Sequence, residues 1–262
     1  MIVNFITLNR KMKKIFIQLL LLPALVSCMK TNDDIIWSDE FNYTGLPDTA
    51  KWGYEVGYIR NRELQYYTYR RQENAVVKDG NLLLTGIKEP WEGFEYTSAS
   101  INTLDKFSFL YGLAEARMKL PAGQGKWPAF WMMGINRREV GWPRCGEIDV
   151  MEHINSTMVL HGTAHWHNEK HVSSGGTIPC NVREYHVYAV KWSPDSLVWL
   201  LDGKRYYGIS IRDSVNSTSE FHKPFYILLN FAIGGSWPGN PDSTSLFPDT
   251  VFVDWVRVHR LK

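Results

Sequence analysis

From Asn81 to Leu261 the chain is written in short apolar or alternating runs, cut by Gly, Pro, Asn and Asp. The runs are NLLLTGI (81–87), FLYGLAEARMKL (109–120), KWPAFWMMG (126–134), EIDVMEHI (147–154), HGTAHWH (161–167), YHVYAVKW (185–192), LVWLLDGKRYYGI (197–209), FYILLNFAI (225–233) and VFVDWVRVHRL (251–261). Their β-branched and aromatic content predicts strands, and Asp202-Gly203 between apolar flanks predicts a hairpin. No stretch carries a sustained helical stripe. Many strands at close spacing predict an all-β domain, a β-sandwich or jelly roll.

The first thirty residues obey a different pattern. Arg10, Lys11, Lys13 and Lys14 form a basic stretch, IFIQLLLLPALV follows, and LVSC closes it at Cys28. This resembles a bacterial lipoprotein signal, in which the cysteine becomes the lipidated N-terminus. A spanning helix needs roughly 20 apolar residues, and about a dozen are present. Met12 opens a complete signal by itself, so Met1 and Met12 both fit as starts. The expected organisation is a signal over 1–28, a tether over 29–36 (MKTNDDII) and one domain over 37–262, within which no linker or repeat interrupts the pattern. It implies an exported, membrane-anchored lipoprotein of the cell envelope, with the leaflet left open.

Removing that leader changes the charge balance. The 29 Lys+Arg fall to 25 against 27 Asp+Glu, and the formal charge moves from +2 to −2. Nothing in this balance favours nucleic acid as a partner. Cys145 and Cys180 remain, and an exported compartment permits a disulfide between them. Two free buried thiols fit the sequence equally well.

The stretch CGEIDVMEH (145–153) places Glu147, Asp149 and Glu152 in an otherwise apolar run. On a regular strand Glu147 and Asp149 share a face and Glu152 points to the other. One extra residue near Val150–Met151, a β-bulge, would bring Glu152 round to join them. Three converging acids repel one another, so at least one is expected to hold a proton near neutral pH. A retaining glycosidase uses such a set: one carboxylate attacks the anomeric carbon and another protonates the leaving oxygen. A solvated edge strand with alternating acids is the competing reading.

E-I-D-x-M-E resembles the signature of glycoside hydrolase family 16, in the longer form of its laminarinase-like members. WSDEF (37–41), NRELQYYT (61–68), LPAGQGKWPAFWMMG (120–134), WPRCGEIDVMEH (142–153), YHVYAVKW (185–192), ILLNFAIGGSWPGN (227–240) and FPDTVFVDWVRV (247–258) are similar to that group's blocks, in its order. The resemblance implies a curved jelly roll with the substrate along a concave cleft. It implies Glu147 as nucleophile, Glu152 as acid/base and Asp149 as the assisting carboxylate.

Sugar recognition needs flat apolar platforms together with polar groups for hydroxyls. Trp127 and Trp131 share strand parity and are candidates, with Trp142 and Trp237 in flanking loops. The resemblance adds Asn61, Glu63, Asn230 and His165. His161, His165 and His167 share a face and could suggest zinc, but the resemblance gives them another place and implies no cofactor for catalysis. It does imply a structural calcium on the convex side, bound by Asp254 and by backbone oxygens near Glu40 and Gly80; oxygen ligands suit that ion.

The implied function is endo-acting, retaining hydrolysis of a polysaccharide, with β-1,3-glucan of the laminarin type first. Mixed-linkage β-1,3/1,4-glucan and, through an endo-β-galactosidase, poly-N-acetyllactosamine are the alternatives. Ser100 and Leu113 keep the last alive, because similar glucanases often carry arginine there. A non-catalytic, lipid-anchored glycan-binding protein is a hypothesis of another class; it has no use for three mutually repelling carboxylates. The domain is expected to act as a monomer.

Overall fold

The computed structural model describes residues 34–212 and 217–261. Cys28 and the leader lie outside the described residues, and no helix among those described is long and apolar enough to cross a membrane. In chain order the strands begin with β1 (Ile35–Asp39), β2 (Gly53–Glu55), β3 (Gln65–Tyr67), β4 (Ala75–Lys78), β5 (Asn81–Trp91) and β6 (Phe94–Ser98). There follow β7 (Ser100–Asn102), β8 (Gly112–Lys119) and β9 (Lys126–Gly134), then the short helix α1 (Arg137–Val140). The series closes with β10 (Glu147–Glu152), β11 (Val159–Asn168), β12 (Lys170–Pro179), β13 (His186–Trp192), β14 (Ser196–Leu201), β15 (Lys204–Ser210), β16 (Phe225–Ile233) and β17 (Asp249–His259).

These strands form the expected β-sandwich. One sheet runs β15-β14-β13-β8-β17-β5-β6-β3, with β1 added to β17 and β4 to β5; the other runs β12-β11-β10-β9-β16-β7-β2. Asp202-Gly203 makes the turn between β14 and β15, as its sequence predicts. The tether expected over 29–36 ends earlier than that: Ile35 and Ile36 already belong to β1, where Ile35 pairs with His259 of β17.

Alternation decides which side chains meet between the sheets. On β8, Ala114, Ala116 and Met118 are buried while Leu113, Glu115, Arg117 and Lys119 take the other face. Leu113 therefore belongs to the outer side of the sheet opposite the acidic strand, and its departure from arginine does not touch the acids. Strand β16 is buried throughout, which its unbroken apolar run foretells. Phe225, Ile227, Leu229, Phe231 and Ile233 join the main core, whereas Tyr226 and Leu228 pack with Ala129, Trp131, Met133 and Cys145 in a second cluster. Cys145 and Cys180 are both buried and free, so no disulfide joins them.

Candidate active site

The site is made by a register slip. Between β10 and β9, Asp149 pairs with Trp131 and Met151 with Phe130, leaving Val150 as the extra residue. Toward β11, Asp149 pairs with Thr163 and Glu152 with His161. Ile148, Val150 and Met151 thereby enter the core, and Glu152 returns to the face that carries Glu147 and Asp149. The bulge sits where strand parity requires one.

All three carboxylates line one cavity with Arg60, Asn61, Glu63, Trp127, Ala129, Trp131 and Asn230. Of the sequence-predicted residues, Asn61, Glu63, Trp127, Trp131 and Asn230 thus line the same cavity as the acids. A chain of hydrogen bonds braces the wall. Trp131 Nε1 donates to Asn230 Oδ1 at 2.7 Å, Asn230 Nδ2 to the Tyr67 hydroxyl at 3.0 Å, and that hydroxyl to Glu63 Oε2 at 3.3 Å. Gln65 Nε2 and Asn61 Nδ2 also donate to Glu63, at 2.7 and 3.2 Å. With every contact satisfied, Glu63 orients its neighbours and is not open to solvent.

The two outer tryptophans occupy the rim. Trp237 stands edge-on to Trp127 with ring centres 5.4 Å apart, and 4.9 Å from His161. Trp142 lies over His171 at 4.6 Å and 6.1 Å from His165. Trp131 departs from its expected role as an open platform. It is only 6% exposed, and the Arg60 guanidinium lies 5.0 Å over its ring. Stacking a sugar on that face would require moving the arginine.

His165 lies among the carboxylates, its Nε2 being 3.1 Å from Asp149 Oδ2 and 3.9 Å from Glu147 Oε1. Its Nδ1 is 2.9 Å from Nε2 of His171, so each ring fixes the tautomer of the other. His171, on the polar edge strand β12, has no signal in the sequence. Neither have Tyr67, Arg60 or Glu55, whose roles depend on contacts between strands. His153, next to Glu152, turns away from the cavity, is fully buried and is bonded to the Thr157 carbonyl.

Crowding shifts the acids together. Burial and then the Asp149 charge push Glu147 up to about 8. Burial also pushes Asp149 up to about 8. Glu152 rises well above the ordinary carboxylate range, by burial and by the Asp149 and Glu147 charges, although the N–H of Trp127 opposes this. Titrations this close belong to the trio as a unit. The set therefore keeps a proton at neutral pH, as an acid catalyst requires.

Among the described residues, Glu147, Asp149 and His165 also bring ligand atoms within 4.8 Å of one another. The calcium expected at Asp254 fits poorly. Arg117 Nη1 donates to Asp254 Oδ2 at 2.5 Å. The expected side-chain ligand is already neutralised by a guanidinium.

A two-sheet jelly roll whose bulged strand offers three carboxylates to a tryptophan-lined cavity defines a carbohydrate-active hydrolase. The family model "Glycosyl hydrolases family 16" matches residues 62–257. A beta-glucanase of Rhodothermus marinus is 40% identical, over 92% of this chain and 93% of its own. The crystal structure of the laminarinase from Rhodothermus marinus superposes with a TM-score of 0.81 at 41% identity, covering 86% of this chain and 96% of that one. A keratan-sulfate endo-1,4-beta-galactosidase of Sphingobacterium multivorum is 34% identical over 88% of this chain, which spans 56% of that protein. The chain belongs to glycosyl hydrolase family 16. It is a glycosidase, and the family's reaction retains anomeric configuration.

Proposed function

We propose that the protein is an endo-acting β-1,3-glucanase of the laminarinase type. Glu147 attacks the anomeric carbon, and Glu152 protonates the departing glycosidic oxygen. The glycosyl-enzyme ester then forms, and Glu152, now a base, takes a proton from the water that releases it. Asp149, between them and beside His165, shares the trio's proton and keeps charge off the neighbour that must stay neutral. The observation that carries the reading is the slip at Val150, which turns Glu152 to the face that carries Glu147 and Asp149. The laminarinase and beta-glucanase relatives support the substrate.

A second reading, an endo-β-galactosidase acting on poly-N-acetyllactosamine, draws support from one observation besides the Sphingobacterium relative. Ser100, unlike Leu113, stands in the cleft sheet, where it is buried and bonded to Glu55. Purified protein incubated separately with laminarin, mixed-linkage glucan and a poly-N-acetyllactosamine glycan decides between the readings. Oligosaccharides released from laminarin support the first; cleavage of the third glycan alone replaces it with the second.

We also propose that Cys28 is lipidated and anchors the protein to a membrane of the envelope, on the strength of the LVSC stretch. Changing Cys28→Ser should move the protein from the membrane to the soluble fraction. Unchanged partition would overturn the anchor.

A further inference from the structure

The loop joining β2 to β3 forms one wall of the cavity, and its conformation is unusual. Asn61 and Arg62 are both left-handed, at φ 57° and 58°. Such residues cost free energy and persist where surrounding contacts hold them, frequently at binding sites. Here Ser236 N and Oγ donate to the Asn61 carbonyl at 2.9 and 3.0 Å. Leu64 N donates to the Ile233 carbonyl at 2.7 Å. The loop is thus clamped to the end of β16, and Arg60 is held at the cavity.

The arginine itself is fixed by a relay that crosses the sheet. Glu152, Ala129, Asn230, Ser100 and Glu55 are register partners in turn across β10, β9, β16, β7 and β2. Partners in such a row share a face. At its far end Ser100 Oγ donates to Glu55 Oε2 at 2.7 Å, and Arg60 Nη2 donates to Glu55 Oε1. The guanidinium then reaches back over Trp131, 5.0 Å from its ring centre. Its side chain is only 17% exposed. A guanidinium has five N–H donors, and Glu55 is its only side-chain acceptor among the described residues. The others have hydroxyl oxygens of a bound sugar as their natural partners.

Charge narrows the ligand. Arg60 is the one basic residue lining the cavity among the described residues, against Glu63, Glu147, Asp149 and Glu152. A sulfated or carboxylated sugar would add negative charge to four crowded carboxyl groups, whereas a neutral sugar gains donors on one side and acceptors on the other.

We infer that Arg60, posed by Glu55 and Ser100, is a specificity-determining residue that grips the hydroxyls of an uncharged sugar bound beside Glu147. This rests on the glycanase reading above. Arg60 replaces ring stacking on Trp131 with a hydrogen-bonding fork, so the contact reads hydroxyl direction as well as ring shape. Its charge also favours the ionised nucleophile. Glu147 feels Asp149 and Glu152 from its own strand, His165 from β11, Arg60 from the loop and Arg137 from α1. Of these Arg60 is the cation whose place depends on Ser100.

The test pairs binding with kinetics. Arg60→Met keeps a flexible apolar chain over Trp131 while removing donors and charge. In a Glu147→Gln background it should weaken binding of a laminarin hexasaccharide at least tenfold by calorimetry. In the otherwise native enzyme it should raise KM by a similar factor and move the acid limb of kcat/KM to higher pH. Ser100→Ala, which leaves the charge in place but frees Glu55, should raise KM two- to fivefold without moving that limb. A poly-N-acetyllactosamine oligosaccharide titrated in parallel covers the second reading. Unchanged affinity for both glycans and an unchanged profile in folded Arg60→Met protein overturn the inference. A wild-type protein that binds glycan through Arg60 yet releases no product overturns the glycanase reading and leaves the Arg60 contact standing.

Discussion

Trp127 Nε1 donates a hydrogen bond to Glu152 Oε1 at 3.0 Å, so the aromatic ring that faces the cavity also orients the acid. One carboxylate oxygen is thereby occupied and the other is left to carry the proton. The same bond favours the ionised acid and opposes the rise in its pKa.

Trp127→Phe keeps the ring and deletes the donor. Glu152 should then hold its proton to higher pH, and the alkaline limb of the kcat profile should move upward. Loss of orientation should lower kcat by about tenfold, the scale of one hydrogen bond to a charged group. A variant with a wild-type profile would mean that the bond does not act on the acid.

Glu147 and Glu152 should separate by leaving group. Glu147→Gln removes the nucleophile and should lose more than about a thousandfold in kcat on every substrate while retaining glycan binding. Glu152→Gln should be crippled on polysaccharide but recover on an aryl β-glycoside, whose phenolate leaves without a proton. Recovery by the first variant instead of the second would exchange their roles.

Crowded acids also cost stability, and the sign follows from the direction of their shifts. Glu147 has a folded pKa of about 8 against an ordinary 4.5, so the folded state binds its proton more tightly than the unfolded chain. Its contribution is harmless below the unfolded value, and stability falls as pH rises from there through the folded value. Glu147→Gln should therefore unfold at nearly the wild-type temperature at pH 4 and at a higher one at pH 8. A gain of about 2 kcal/mol, or roughly 5 °C, is the scale expected. Equal melting temperatures at both pH values would show that the carboxylate is not strained by its surroundings.

Arg117 and Asp254 predict the response to chelation. With the carboxylate satisfied by the guanidinium, excess chelator should leave the melting temperature within about 1 °C and should not change activity. A fall of several degrees, restored by calcium, would mean that the ion displaces Arg117 from Asp254.

How much of this was legible beforehand depends on range. The long apolar strands β9, β10, β13, β16 and β17 were visible because burial on one or both faces writes itself into composition. Strand β12, KHVSSGGTIP, was not: it is a polar edge strand whose pairing with β11 supplies what its residues lack. The three-residue strands β2, β3 and β7 are too short for any period to register, yet β2 and β7 carry Glu55 and Ser100.

By itself the sequence determined the all-β class, the parity conflict at Glu147, Asp149 and Glu152, and the bulge that resolves it, because strand periodicity is a local property. Through its resemblance to the family it also named Asn61, Glu63 and Asn230. Only the tertiary structure decided that Ser100 lies in the sheet that carries the acids and Leu113 in the opposite one, that Trp131 is covered by Arg60, and that Asp254 is held by Arg117. Those outcomes depend on which strands become neighbours and in what register, and side chains remote in the chain meet only after both are set.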